Sequence, residues 1–264
     1  MNRDEIESNL EVAVTIVETA GAIALRYFRT PLEVTDKSQG SAFDPVTRAD
    51  REVESAIRDA LGRAFPDHGI LGEEHGTRDP GQPVRWLVDP IDGTRAFISG
   101  VPTWGILLGL MEEDACLAGI MHQPYLDETF LGGPDGARMR RAGKEIALRT
   151  RQEAGLSSAI LYCTHPSMFP AEADRRAFES VAASSRMMRY GGDCYSYCLL
   201  AMGQIDLVVE AHLQPYDIVP LIPIVEAAGG IVTDWSGSPA NRGGRVVAAA
   251  NPALHRQALE ILNS

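Results

Sequence analysis

Cysteine is scarce in this 264-residue chain: there are four, Cys116, Cys163, Cys194 and Cys198, and no CxxC pair. That count and spacing exclude a disulfide framework and a thiolate zinc knuckle. Each thiol sits among apolar neighbours, which predicts reduced, buried cysteines in a cytosolic protein. Cys194 and Cys198 could share a helix face, but no partner ligands lie near them in sequence. Positive charge is also short, with 24 Lys and Arg against 36 Asp and Glu, a formal net charge of -12. A nucleic-acid backbone is therefore not expected as a partner. Long apolar runs are missing too. The stretch 218–225 (IVPLIPIV) is far below the roughly 20 residues that span a bilayer. The start, MNRDEIESNL, has neither a basic region nor an apolar signal core, so secretion by that route is not expected and the expected location is the cytoplasm. No G-x-S-x-G occurs and the six histidines are scattered, which argues against a Ser-His-Asp nucleophile.

What is present is ordinary globular material, 45% hydrophobic and 23% charged. It is enough for one large domain or two modest ones with buried cores. Apolar residues Leu10, Val14, Val17, Ala24 and Phe28 recur at helical spacing over 4–28, so a helix is predicted there, followed by a polar loop over 31–43. A second amphipathic helix opens at Thr47 and stops at Pro66. Short strands are predicted at 70–72 and 84–88. A hairpin is read over 104–111 and 115–123, a third strand over 128–131, and an exposed hairpin and linker after about 135. Beyond that, strands (158–164, 187–190, 205–210, 231–234, 245–250) alternate with helices (171–183, 194–202, 217–228, 253–263). The alternation implies a layered α/β half. Two subdomains are expected, 1–150 and 151–264.

Chemistry concentrates in WLVDPIDGT, residues 86–94. Three apolar residues deliver Asp89 to a strand end, where α/β proteins tend to build sites. Pro90 stiffens the turn. The Asp89 carboxylate, the Ile91 carbonyl and the Asp92 carboxylate can then aim at one point, a set of hard oxygens suited to Mg2+. Gly93 permits close approach of a ligand to the backbone, and Thr94 opens a short helix whose free N–H groups favour phosphate. Asp-Pro and Asp-Gly are also plain turn formers, but two more acidic turns lie nearby. Glu73 and Glu74 follow Gly72 at another strand end. Asp44 to Asp50 (DPVTRAD) opens the second helix, where Thr47 and Asp50 have capping-box spacing. Asp217 in QPYDIVPLIP opens a helix in the second half. A shared metal site is the economical account of the three acidic turns in the first hundred residues, whereas Asp217 on its own is an ordinary N-terminal helix acid.

Together these stretches resemble the inositol-monophosphatase-like family of Mg2+-dependent, lithium-sensitive phosphatases. GEE at 72–74, WLVDPIDGT, DPVTRAD, PYD at 215–217 and AAGG at 227–230 match its signature in order and spacing, over nearly the whole chain. The resemblance implies an α/β fold (α+β in connectivity), a layered αβαβα sandwich with the site between two subdomains. The first would carry most metal ligands, the second Asp217 and the specificity residues. It implies that Glu73, Asp89, the Ile91 carbonyl, Asp92 and Asp217 ligate two or three Mg2+ ions and that Gly93 and Thr94 contact phosphate. It further implies that Asp50 pairs with Thr94 to activate water, that Glu73 also positions that water, and that Lys37 and Asp44 belong to a loop near the site. A homodimer acting on a small phosphate monoester, with no membrane or nucleic-acid partner, is the implied assembly.

The chain departs from inositol phosphatases at DGTRAFISGVPTWG, GGDCYSYCLLAMG and PYDIVPLIPIVEAAGG. All three look like the histidinol-phosphate phosphatase branch. Glu210, at the end of IDLVVE, and Asp193 are the expected substrate contacts, since the leaving group of histidinol phosphate carries an ammonium and a weakly basic imidazole. His75 is read as a surface residue, and His212, near Glu210, as structural with a place in the site as the alternative. Inositol phosphate or another sugar or nucleotide ester is the alternative substrate. A non-catalytic metal- and anion-binding module is the competing class, disfavoured because it needs no Thr94–Asp50 pair.

Overall fold

The computed structural model describes residues 1–36 and 45–264; Lys37 and Asp44 lie outside the described residues. In chain order the elements are α1 (Arg3–Leu25), β1 (Val34–Asp36), β2 (Pro45–Thr47), α2 (Arg48–Ala64), β3 (Gly69–Gly72), β4 (Gly76–Arg78), β5 (Val84–Asp92), α3 (Thr94–Ser99), β6 (Gly105–Glu112), β7 (Ala115–Gln123), β8 (Glu128–Gly133), β9 (Gly136–Arg141) and β10 (Lys144–Ala147). There follow β11 (Ile160–Cys163), α4 (Glu172–Ser184), β12 (Met187–Tyr190), α5 (Tyr195–Ala201), β13 (Leu207–Leu213), α6 (Pro215–Ile218), α7 (Leu221–Ala227), β14 (Ile231–Asp234), β15 (Gly244–Ala249) and α8 (Pro252–Leu262).

Two large sheets organise the chain. The first has eight strands in the order β10-β9-β8-β7-β6-β5-β3-β4, and the second has five in the order β12-β11-β13-β15-β14. Helices α1 and α2 pack on each other and on the outer face of the first sheet. Helices α5 and α7 fill the space between the sheets, and α4 and α8 cover the far face of the second. The result is the αβαβα layering that the resemblance implies. Helix α1, at 23 residues, is long and apolar enough to cross a membrane by length and composition. Its apolar stripe, including Leu10, Ala13 and Val17, is instead buried in the core of the first sheet.

The middle layer approaches the first sheet closely, for a reason visible in the register. Gly109 pairs with Gly119, and Gly119 pairs with Gly132, so three glycines line up across β6, β7 and β8. A Cβ at Gly119 would stand 1.8 Å from the Pro220 carbonyl oxygen, and one at Gly132 would stand 2.3 Å from the Pro223 and Ile224 backbone. The row of bare backbone lets α6 and α7 lie directly on the strands. That places Asp217 of α6 beside the end of β5.

Four local expectations change. The single helix over 217–228 is two, α6 and α7, broken around Pro220, which has no N–H to continue the ladder. The strand over 84–88 runs on to Asp92 through an irregularity between Asp89 and Asp92. A bulge of that kind re-aims side chains and tolerates Pro90. The polar loop over 31–43 contains β1, which pairs with β2. Strand β4, of residues Gly76–Arg78, pairs with β3 and has no apolar pattern of its own to announce it. The basic stretch after 135 forms the hairpin β9–β10 as read.

Candidate active site

Strand β5 brings the first carboxylates to the site. Asp89 is buried, and its Oδ1 accepts a hydrogen bond from the Ile91 backbone N–H at 3.0 Å. Half-buried Asp92 accepts at Oδ2 from the Cys194 N–H at 2.8 Å. Asp217, in the first turn of α6, accepts at Oδ2 from the Gln214 N–H at 2.7 Å, as a capping residue does. Oxygens of Asp89, Asp92 and Asp217 all lie within 4.8 Å of one another. Glu73 enters from the neighbouring parallel strand: it follows β3, and its N–H donates to the Val88 carbonyl at 3.2 Å.

Electrostatics reports the same convergence. Burial pushes Asp89 well above the usual carboxylate range, and the charges of Glu73, Asp92, Asp217 and Asp50 push it further. Burial, then Asp217 and Asp193, do the same to Asp92 against the Cys194 hydrogen bond. Asp217 is raised to about 7, mainly by burial, with Glu73 and Glu210 adding and the Gln214 N–H opposing. These acids repel one another in a partly dehydrated site. An all-oxygen, anionic donor set of this kind fits a hard divalent cation, whose charge would relieve the repulsion.

A cavity of about 830 Å3 opens beside the cluster. Asp92, Gly93, Thr94, Asp193, Glu210 and Asp217 line it, as do Thr164, His165, Tyr197 and His212. Gly93 has φ 80°, and a Cβ there would meet Asp193 at 3.0 Å, so the residue that opens α3 has to be glycine. Asp193 itself has φ 45°, and its Oδ2 accepts from the Thr103 hydroxyl at 2.9 Å. Glu210 is buried and held by three donors: the Thr164 N–H at 2.9 Å and hydroxyl at 2.6 Å on Oε1, and the Tyr197 hydroxyl at 2.9 Å on Oε2.

The Thr94–Asp50 pair is not hydrogen-bonded in this structure. The Thr94 hydroxyl donates to the Ile91 carbonyl at 3.1 Å. Asp50 Oδ2 accepts from the Thr47 N–H at 2.9 Å and the Thr47 hydroxyl at 2.6 Å, the capping-box role that its spacing also allows. Asp50 is nonetheless buried against the cluster, close enough to raise Asp89.

With the acidic cluster and cavity placed, the family can be stated. A model of the inositol monophosphatase family matches residues 5–264. The chain belongs to that family. It is 38% identical to the bifunctional phosphatase IMPL2 of Arabidopsis thaliana, over 98% of this chain and 76% of that one. It is 33% identical to a histidinol-phosphatase of Chlorobaculum parvum, over 97% of each chain. The solved inositol monophosphatase of Zymomonas mobilis superposes with a TM-score of 0.86, at 37% identity over 98% of both chains. The protein is accordingly a phosphoric monoester hydrolase of a metal-dependent family, and Asp89, Asp92 and Asp217 form a cluster able to hold a metal ion.

In this inositol monophosphatase family member the loop after β11 is the part of the site that the sequence did not disclose. Thr164 and His165 reach the cavity, and Tyr197 and Thr103 brace its two acids. Only the position of THP just past an apolar strand hinted at them. His212, read as structural, is exposed at φ 64° and lines the cavity. His75 is exposed on the surface beside Ser55, as expected.

Proposed function

We propose that this phosphatase hydrolyses histidinol phosphate to histidinol and inorganic phosphate, with Mg2+ as its cofactor. The observation that carries the substrate reading is the pair Asp193 and Glu210 on the cavity wall, beside the acidic cluster. Histidinol phosphate brings an ammonium and a weakly basic imidazole, and a carboxylate facing either makes a charge-assisted hydrogen bond. Inositol phosphate offers neutral hydroxyls alone, whose hydrogen bonds to a carboxylate are weaker than those of an ammonium. Relatives bearing either name are of similar identity, 33% and 37%, so the wall chemistry weighs more than the resemblance.

In this reading Glu73, Asp89, the Ile91 carbonyl, Asp92 and Asp217 hold two or three Mg2+ ions. When bound, Mg2+ supplies positive charge to the phosphate oxygens and makes water more acidic. Gly93 and Thr94 hold the phosphate through the opened backbone. Asp50 accepts from the Thr94 hydroxyl once that hydroxyl leaves the Ile91 carbonyl, and the pair orients the attacking water with Glu73. Water adds its oxygen to phosphorus, the ester P–O bond breaks, and the alcohol leaves with a proton; no phosphoenzyme is needed. Residues 1–150 then form a subdomain carrying most of the metal ligands and 151–264 one carrying Asp217 and the substrate-selecting residues, in a cytoplasmic homodimer. The test is phosphate release from histidinol phosphate and from inositol monophosphate, with and without Mg2+. Equal or greater kcat/KM on inositol monophosphate would reject the substrate, and full activity in chelator would reject the cofactor.

A further inference from the structure

Glu54 is a carboxylate that the mechanism leaves unused, and its side chain is fully buried. It lies on α2, four residues after Asp50 and amid the apolar stripe of Val53, Ile57 and Leu61. A buried carboxylate is costly unless its oxygens are satisfied, and an apolar residue would pack there without that cost. The oxygens of Glu54 are indeed satisfied. Oε2 accepts from the Glu74 N–H at 2.6 Å, and Oε1 accepts from the His75 N–H at 3.1 Å. Arg58 Nη1 approaches Oε1 at 3.3 Å and also donates to the Gly76 carbonyl at 2.8 Å. Gly72 is the only kind of residue that admits this contact, since a Cβ there would stand 2.0 Å from Oε1.

We propose that Glu54 is a positioning residue for Glu73: it clamps the two N–H groups that follow Glu73 and so fixes the carboxylate that the metal requires. Three successive N–H groups of the turn are held. That of Glu73 goes to Val88, the residue before Asp89, and those of Glu74 and His75 go to Glu54. The turn after β3 is thereby locked both to β5 and to α2. Orientation of a ligand by such an outer partner is commonly worth 10- to 100-fold in metal affinity. The inference rests on Glu73 being a metal ligand, as proposed above.

The experiment measures the rise in unfolding temperature of the full chain as Mg2+ alone is added, for wild type, Glu54→Gln, Glu73→Gln and the double variant. Gln keeps one acceptor oxygen but turns an NH2 toward a backbone N–H, so the clamp fails at one of its two points. The expected result is a Mg2+ midpoint raised roughly 10- to 100-fold in Glu54→Gln. Its kcat should recover to within a few-fold of wild type at saturating Mg2+. In the Glu73→Gln background the same change should shift the midpoint less than about twofold, because two residues that act as one unit are not additive. A Glu54→Gln protein that melts earlier without metal but keeps its Mg2+ midpoint would overturn the proposal and leave a purely structural brace. A Glu73→Gln protein with an unchanged midpoint would instead overturn the ligand reading, and the positioning role with it. If Glu54→Gln does not fold, Glu54→Asp keeps the charge but withdraws the carboxylate, and it is read in the same way.

Discussion

The Asp92 carboxylate, at the end of β5 in the first sheet, accepts a 2.8 Å hydrogen bond from the N–H of Cys194, at the start of α5. One side chain thus belongs to the acidic cluster and also ties the first sheet to the layer between the sheets. The two roles separate in Asp92→Asn. The amide oxygen still accepts from Cys194, whereas the negative charge is lost. Asp92 is held above its ordinary range by burial, Asp217 and Asp193, so its removal relieves repulsion. Metal-free Asp92→Asn should unfold at or above the wild-type temperature. Its Mg2+-dependent turnover should fall by more than about 100-fold, beyond what loss of a merely orienting partner does. Turnover near wild type at low Mg2+ would show that Asp92 is not a ligand.

Asp193 gives the cleaner test of substrate choice. Glu210 takes hydrogen bonds from Thr164 and Tyr197, three in all, so Glu210→Gln disturbs the wall as well as its charge. Asp193 is held by the Thr103 hydroxyl through Oδ2. Asn can keep that bond through its own oxygen. Asp193→Asn should lower kcat/KM for histidinol phosphate by roughly 10- to 150-fold, the worth of one charge-assisted contact of about 1.5–3 kcal/mol. A phosphate monoester of an uncharged alcohol should lose less than about threefold. Equal losses on both esters would assign Asp193 to the cluster or the fold.

Gly119→Ala should be far worse than an alanine normally is in a strand. The new Cβ would meet the Pro220 carbonyl oxygen at 1.8 Å, and that contact is backbone, which has little room to yield. Overpacking of this kind costs about 1–3 kcal/mol or more. Because α6 rides on that surface, the change should also displace Asp217 and weaken Mg2+ binding. Gly109→Ala meets Val219 Cγ1 at 3.0 Å and should be milder. Chemical denaturation of both variants, with and without Mg2+, checks the order.

His122 predicts an acid limit to stability. It lies on β7, buried against α1; its Nδ1 is 2.9 Å from the Thr129 hydroxyl, and a Cβ at Gly21 would lie 2.7 Å from its Nε2. Burial lowers its pKa to about 4, against a smaller raising effect of Asp127. An unfolded histidine, near 6.5, binds a proton that the folded one refuses. The contribution is therefore intact above about pH 6.5 and is lost as pH falls toward 4, by at most about 3 kcal/mol. The raised carboxylates of the cluster slope the opposite way, so the difference between wild type and His122→Gln isolates the effect. The stability of His122→Gln should fall less steeply between pH 6.5 and 4.5; parallel curves would refute the assignment.

The sequence alone determined most of the elements and the reactive group types. Periodicity marked α1 and α2 because one face of each is buried, and alternation marked the β6–β7 hairpin for the same reason. Local chemistry marked Thr47 and Asp50 as a cap and Asp89 and Asp92 as ligand candidates, since both signals lie within a few residues of chain. Tertiary structure decided which distant groups meet. Asp217 reaches Asp89 only because Gly109, Gly119 and Gly132 fall in register on three strands and let α6 settle on the sheet. Thr164 and Tyr197 come to hold Glu210 because β11 and β13 pair in parallel and α5 packs near them. Nothing in the sequence sets Glu54 apart from the other acids of α2, and only the packing of α2 over the turn after β3 gave it two backbone partners. Hydrogen bonds between residues 13 to 102 positions apart leave no periodic trace in the chain, because nothing but the folded backbone sets their distance.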